Sequence, residues 1–378
     1  MSLALTLHGA EVLWPDGAGP GPVGIAGGRI APPGPGRQVD LSGYLVLPGI
    51  VDAHGDGFER HLAPRRGAMR DLGAGLAAAE AELAANGITT AVLAQFYSWE
   101  GGLRGPDFAA RVLEGWSARR GGGTDLRIQL RFETHMLDDY PAFEALVARH
   151  GAGYVVFNDH LPHDRLSQGR RPSRLTGQAL KSGRSPEAHL AIMEALHARQ
   201  AEGPQALAGL AQRLSARGVR LGSHDDRTAA DRAFWRGIGV RIAEFPETRE
   251  AALAAIEAGD RVVMGAPNVM RGGSHNGNVP AGALVDEGLV TALASDYHFP
   301  SLRAAAWALA EPMGLAAAWR LVSEGPAGLL GLADRGRIAL GLRADLVVLE
   351  RETGRVAATF AGGALTFMGG PVAARFLD

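Results

Sequence analysis

The chain has 378 residues, 46% of them hydrophobic and 21% charged, enough to bury one large core plus a small appendage. Its formal net charge of −2 supplies no global basic field, which argues against a nucleic-acid partner. Cysteine is absent, so disulfides and thiolate ligands are excluded and any metal must be held by nitrogen and oxygen donors. The first residues, Met1-Ser2-Leu3-Ala4-Leu5-Thr6-Leu7-His8, lack a basic region followed by an apolar core, and no run of about 18 apolar residues occurs anywhere. A cytoplasmic protein with no membrane partner is expected.

Residues 3–47 read as short strands broken by glycine and proline, with Ala31-Pro32-Pro33-Gly34-Pro35-Gly36 too rich in turn formers for a helix or central strand. From about 48 to 300, apolar strands alternate with Ala/Leu-rich helices. The strands end near Asp56, Phe96, Glu133, Asp159, Ser223, Phe245, Pro267 and Asp296. That alternation predicts an α/β fold, a (β/α)8 TIM barrel, in which side chains at the C-terminal ends of the strands converge on one site. The run Gly336–Leu349 reads as strands again and is expected to pack with the N-terminal segment. The predicted organisation is a small β domain from 1–47 and 336–378, and a barrel over 48–335 with a basic helical insertion near 164–217.

Ligand-type residues recur where these strands end. The run Leu45–Val51 leads into Asp52-Ala53-His54-Gly55-Asp56, and side chains at i and i+2 of a strand share a face, so His54 and Asp56 could reach one cation. Glu133, His160, His224 and Asp296 each follow another apolar run. Taken singly, a histidine is more often a hydrogen-bonded structural residue and an acid more often a helix cap or partner of arginine. Their joint placement favours one or two divalent ions, zinc first, with manganese, nickel or iron as alternatives. The single lysine, Lys181, falls in the polar insertion rather than at a strand end. A bridge between two metals would then have to be a carboxylate, for which Glu133 is the choice. His135 and His163 rank below these as supporting or substrate-contacting residues.

Two further stretches carry charge or hydrogen-bonding capacity. Residues 165–186 contain Arg165, Arg170, Arg171, Arg174, Lys181 and Arg184 without an acid, either a solvated surface or a lid that holds phosphates through guanidinium pairs. Met264–Asn278 combines glycines and amides with Arg271, His275 and Asn278, which suits an anion cradle of backbone N–H groups or a glycine-rich structural loop. Arg60, His61, Arg65 and Arg66 add positive charge after the first motif.

The opening Leu47-Pro48-Gly49-Ile50-Val51-Asp52-Ala53-His54 and the closing Gly341-Leu342-Arg343-Ala344-Asp345-Leu346 resemble the amidohydrolase superfamily of metal-dependent barrels. Within it, Ser223-His224-Asp225-Asp226, Ala243-Glu244-Phe245-Pro246, Met264–Asn278 and Ser295-Asp296-Tyr297 look like the PhnM family of diphosphatases. That resemblance implies metal-dependent release of pyrophosphate from α-D-ribose 1-methylphosphonate 5-triphosphate, a step of phosphonate catabolism. The chain departs from the family pattern twice: Gly55-Asp56-Gly57 stands where Thr-Asp-Asn is usual, and Leu161-Pro162-His163-Asp164 where Ser/Thr-Pro-Gly-Gln is usual.

The leading expectation is therefore a hydrolase with metal ligands His54, Asp56, Glu133, His160, His224 and Asp296. Asp296 accepts a proton from water, with His224 as the other catalytic residue, and Arg65, His163, Arg271, His275 and Asn278 contact a small phosphorylated substrate. A homo-oligomer is left open. Two alternatives stand beside it: hydrolysis of an amide, cyclic amide or amidine, and an inactive metal-binding homologue.

Overall fold

The computed structural model describes residues 4–63, 71–119, 123–273 and 277–377. Leu5–His8, Val23–Ala26, Arg29–Ala31 and Arg37–Asp40 form a four-stranded sheet. A six-stranded sheet takes Glu11–Trp14, Gly17–Pro20 and Tyr44–Pro48 from the N-terminal side and Leu346–Glu350, Val356–Ala361 and Ala364–Met368 from the C-terminal side. The two ends of the chain meet in the antiparallel ladder of Tyr44–Pro48 with Leu346–Glu350, where Val46 faces Val348. Leu7, Val12, Ile25, Val39, Val348 and Phe360 share one buried cluster. Each such side chain stabilises the fold by about 1.5–3 kcal/mol relative to an exposed one. This is the expected small β domain built from both termini.

The run before Leu346 departs from expectation. Gly336 and Gly341 have φ of +91° and +83°, left-handed conformations that turn the chain rather than extend it, so the strand starts only at Leu346. The Asp345 carboxylate secures these turns, accepting from Gly362 N at 2.7 Å and Arg343 Nε at 2.8 Å. Buried Arg335 donates to Asp125 Oδ2 and Thr90 Oγ1, both at 2.7 Å.

Eight strands follow one another in chain order within a single sheet: Ile50–Gly55, Ile88–Tyr97, Asp125–Glu133, Tyr154–Asn158, Arg220–His224, Ile242–Glu244, Arg261–Gly265 and Ala292–Ala294. Neighbours run parallel, and a parallel bridge between Gly55 and Asp296 joins the last strand to the first. This is the (β/α)8 barrel, and each strand ends within two residues of its expected end. The strands read as apolar runs because both faces are covered, as in Ile88–Tyr97, which is buried throughout. Between the fourth and fifth strands lie His163–Ser167, Leu175–Ser182, Pro186–Ala198 and Gly203–Ala216, all helices. Gly183, at φ +73°, closes the second of these, and the Ser185 side chain accepts from Ala188 N at 3.1 Å to start the third.

By residue contacts the chain divides into two compact units, Met1–Leu93 with Arg120–Arg127 and Arg261–Asp378, and Ala94–Arg119 with Ile128–Asp260. The first carries His54, Asp56, Arg271, Asn278 and Asp296; the second carries Glu133, His160, His163 and His224.

Candidate metal centre

In the first unit, the strand Ile50–Gly55 delivers Asp52 and His54, both fully buried, but stops one residue before Asp56. Strand alternation therefore reaches His54 and not Asp56, which is half-buried in the following turn. Asp52 accepts from Ser295 Oγ at 2.5 Å, Ser295 N at 3.0 Å and His54 N at 3.3 Å. Burial pushes its carboxyl above the usual range, and these donors offset that only in part. Gly55 packs against this pair: a Cβ there would lie 2.7 Å from both Asp52 Oδ2 and Ser295 Oγ, so a side chain at this position requires the pair to shift. Asp296 sits two residues past its strand, donating its N–H to His54 O at 3.0 Å and accepting from Asp56 N at 2.8 Å through its own carbonyl.

Among the described residues, three non-glycines adopt positive φ: Asp225, Phe245 and Asp296, at 62°, 52° and 55°. Each lies one or two residues past a barrel strand. For a bulky residue such as Phe245 that conformation is an outlier, and strain of this kind gathers at functional sites.

Arg271 ends the helix Ala266–Arg271 and donates to the Tyr297 hydroxyl, and Asn278 lies half-buried in the following segment. The stretch expected as a loop is thus partly helical. Pro267 at the first turn and Gly272, φ +70°, bound that helix. Arg65 and His275 lie outside the described residues.

In the second unit, Glu133 is the last residue of its strand and fully buried. It accepts from Trp99 Nε1 at 3.2 Å, His160 N at 3.1 Å and His160 Nδ1 at 2.5 Å. Burial opposes the Glu133 charge, but the His160 imidazole beside it outweighs burial and holds the carboxyl below its usual range. The same pairing carries His160 above the ordinary imidazole value against its own burial. His224 closes the strand Arg220–His224, with Nδ1 2.9 Å from Asp225 Oδ2 and Nε2 3.0 Å from an Arg131 nitrogen. A guanidinium can only donate, so Nε2 offers its lone pair and Nδ1 carries the proton toward Asp225. Asp225 is held down at about 2: burial works against this, and His224, His160 and Arg131 prevail.

One ligand atom from each of His160, His224 and Asp225 lies within 4.8 Å of the others, and so do those of Glu100, Glu133 and His160. Nitrogen and carboxylate donors at that spacing suit a borderline divalent ion.

Several contributors escaped the sequence reading. Arg131 and Gln129 share the inward face of Glu133's strand, a period-two polar line visible in Gln129, Arg131 and Glu133. Arg131 also lies 4.0 Å over the Phe96 ring. Glu244, another acid closing a strand, accepts from Gln129 Nε2 at 2.7 Å and Tyr154 Oη at 2.6 Å. Arg232, 2% exposed, donates to Ser223 Oγ at 2.7 Å, Asp226 at 2.9 Å and Asp260 at 2.8 Å, anchoring the backbone on either side of His224. Breaking such a buried pair from one side typically costs about 3–5 kcal/mol.

His160, His224 and Asp225 open into a cleft of about 900 Å³, whose walls include Arg165, Arg170 and His163. The basic run is thus divided in its tasks. Arg165 and Arg170 face the cleft, Arg171 pairs with Glu187, and Arg184 donates to Trp99 O at 2.7 Å, steadying the segment that holds Glu133. His163, first residue of its helix, points both ring nitrogens at other side chains: Asp159 and His135 on one side, His197 on the other.

No protein-family model matches the chain. Over 331 residues, 85% of this chain and 87% of the relative, it is 34% identical to the alpha-D-ribose 1-methylphosphonate 5-triphosphate diphosphatase of Escherichia coli (strain K12). Its fold is similar to an amidohydrolase from an environmental sample of the Sargasso Sea, at 18% identity and TM-score 0.61 over 99% of this chain and 96% of that one. It is also similar to N-acetylglucosamine-6-phosphate deacetylase of Pasteurella multocida, at 13% identity and TM-score 0.62 over 96% and 99%. At those identities the two structures speak for the fold alone. The sequence relationship is decisive: the chain belongs to the hydrolase family of the Escherichia coli diphosphatase, and its barrel is the fold seen in the amidohydrolase structures.

Proposed function

We propose that the protein hydrolyses a phosphoric anhydride, releasing pyrophosphate from a ribosyl triphosphate of the kind named for its Escherichia coli relative. The observation that carries this reading is the placement of Arg165 and Arg170 on the cleft into which His160, His224 and Asp225 open, in a chain 34% identical to that diphosphatase. His54, Asp56, Glu133, His160 and His224 would hold one or two divalent ions, with Asp296 as a further ligand. Such an ion supplies Lewis acidity toward water and a phosphoryl oxygen. Asp296 takes the proton of the attacking water, and His224, held by Asp225 at Nδ1, acts at Nε2 by exchanging its Arg131 contact for the ion or substrate. Arg165 and Arg170 hold phosphoryl oxygens, joined by Arg65, Arg271, His275 and Asn278 as further substrate contacts.

A specific observation favours a second reading, hydrolysis of a C–N bond. Asp159, Asp164 and Asp225 also line the cleft, and without bound cations they would repel a polyphosphate. The test is release of pyrophosphate from a panel of sugar and nucleoside triphosphates by wild type and an Arg165→Ala/Arg170→Ala variant, at low and high salt. The phosphohydrolase reading expects KM to rise roughly tenfold in the variant, with kcat nearly unchanged and salt mimicking part of the effect. Turnover of an amide, with no pyrophosphate from any triphosphate, would replace it with the second reading.

A further inference from the structure

We infer that His135, Asp159 and His163 form a second divalent-cation site in the second unit, separate from the Glu133–His160–His224 centre and open to the same cleft. His135 Nε2 and His163 Nε2 each lie 3.1 Å from Asp159 Oδ2, and the two ring nitrogens lie 3.1 Å from each other. These three atoms make a nearly equilateral triangle, and no assignment of protons satisfies all its edges. If both nitrogens donate to the carboxylate, His135 to Oδ2 and His163 to Oδ1 at 3.2 Å, the two donor nitrogens are still left 3.1 Å apart with nothing between them. If one nitrogen donates to the other, the acceptor has no proton left for Asp159, and a lone pair faces a carboxylate oxygen. A cation bound by all three lone pairs removes the conflict.

The dimensions agree with that solution. Ligand bonds of about 2.0–2.1 Å at tetrahedral angles set neighbouring donor atoms about 3.3 Å apart, close to the spacing found. The donor set of two imidazoles and a carboxylate, without sulfur, selects a borderline ion such as zinc over calcium or magnesium. Support behind the ligands is also in place. His163 Nδ1 lies 2.7 Å from His197 Nδ1, so with Nε2 committed to an ion, Nδ1–H donates a hydrogen bond to His197 Nδ1 and fixes the His163 ring. His135 is 8% exposed and meets His163 edge-on, with ring centroids 4.7 Å apart.

Asp159 and His163 line the cleft, so an ion held by the three would be reachable from it by a ligand oxygen. His163 stands at one of the two departures from the family pattern, so this site belongs to the chain's own sequence. In this arrangement the ion, rather than the His163 ring, faces the substrate.

The test is zinc content per chain by plasma mass spectrometry, after equilibration with zinc and removal of the excess, for wild type, His163→Gln and His224→Gln. His163→Gln is expected to hold about one equivalent less than wild type. His224→Gln should lose zinc from the other centre while a third variant, carrying both substitutions, loses it from both. Equal zinc in His163→Gln and wild type would overturn the inference. Should His163→Gln fail to fold, ring nitrogen-15 resonances of histidine-labelled wild type decide: zinc must shift those of His135 and His163, and their constancy through saturation would equally overturn it. Neither readout involves turnover, so a wrong substrate assignment leaves the result intact.

Discussion

Asp52 and Glu133 are both fully buried carboxylates on barrel strands, one in each unit, yet their surroundings drive them in opposite directions. Burial prevails at Asp52 and raises its proton affinity, because the hydrogen bonds from the Ser295 hydroxyl and two backbone N–H groups, with the weaker pull of the His54 imidazole, offset it only in part. Glu133 meets an imidazole as well as a Trp N–H and a backbone N–H, and the imidazole prevails, so the carboxylate stays charged. The difference separates an acid that ties two strands together from one equipped to bind a cation. Burial alone does not distinguish them.

The largest effect that would break this comparison belongs to Glu133→Gln. The amide keeps the shape but loses the charge and one acceptor, and its NH2 group has no use for a cation. Metal affinity is expected to fall at least about a hundredfold and turnover about a thousandfold. Isothermal titration with zinc, alongside initial rates, checks both. Retention of zinc affinity by Glu133→Gln would show that the buried charge serves architecture after all.

Asp296→Asn comes next. Its backbone bridge to the first strand uses main-chain atoms only, so the substitution leaves the barrel seam intact while removing a proton acceptor. Turnover should drop roughly a hundredfold with most of the metal retained, as read by metal analysis and steady-state rates on the same preparation. Wild-type activity in this variant would remove Asp296 from the proposed chemistry.

These expectations rest on features that differed in how far the sequence disclosed them. Strand ends were legible because apolar runs stop where a polar side chain is needed, at Glu133 to the residue and near His224 and Asp296 to within two. The pairing of Tyr44–Pro48 with Leu346–Glu350 was foreseen only as a meeting of the two termini, since register depends on turns far away in sequence. Gly336 and Gly341 looked compatible with a strand until their positive φ values made them turns. Arg131 and Arg232 were passed over because arginine is the general basic residue of a chain with a single lysine. The triangle of His135, Asp159 and His163 was beyond reach, because two separate βα loops supply its members and only the parallel pairing of Asp125–Glu133 with Tyr154–Asn158 sets them side by side.

The smallest expected effect sharpens the comparison most, because it predicts near-silence at a fully buried charged position. In Asp52→Asn the amide oxygen can keep both backbone N–H bonds, from His54 and Ser295, which already fall on Oδ1. The amide NH2 then takes the place of Oδ2 and donates to the Ser295 hydroxyl, whose oxygen accepts in place of donating. No hydrogen bond is lost, and a carboxylate that burial disfavours is replaced by a neutral group. The change in unfolding free energy should therefore stay within about 1 kcal/mol, with bound zinc unchanged. Denaturant unfolding and metal analysis of this variant beside Glu133→Gln make the contrast measurable. Loss of zinc from Asp52→Asn comparable to that from Glu133→Gln would place Asp52 in the metal centre and erase the distinction between the two acids.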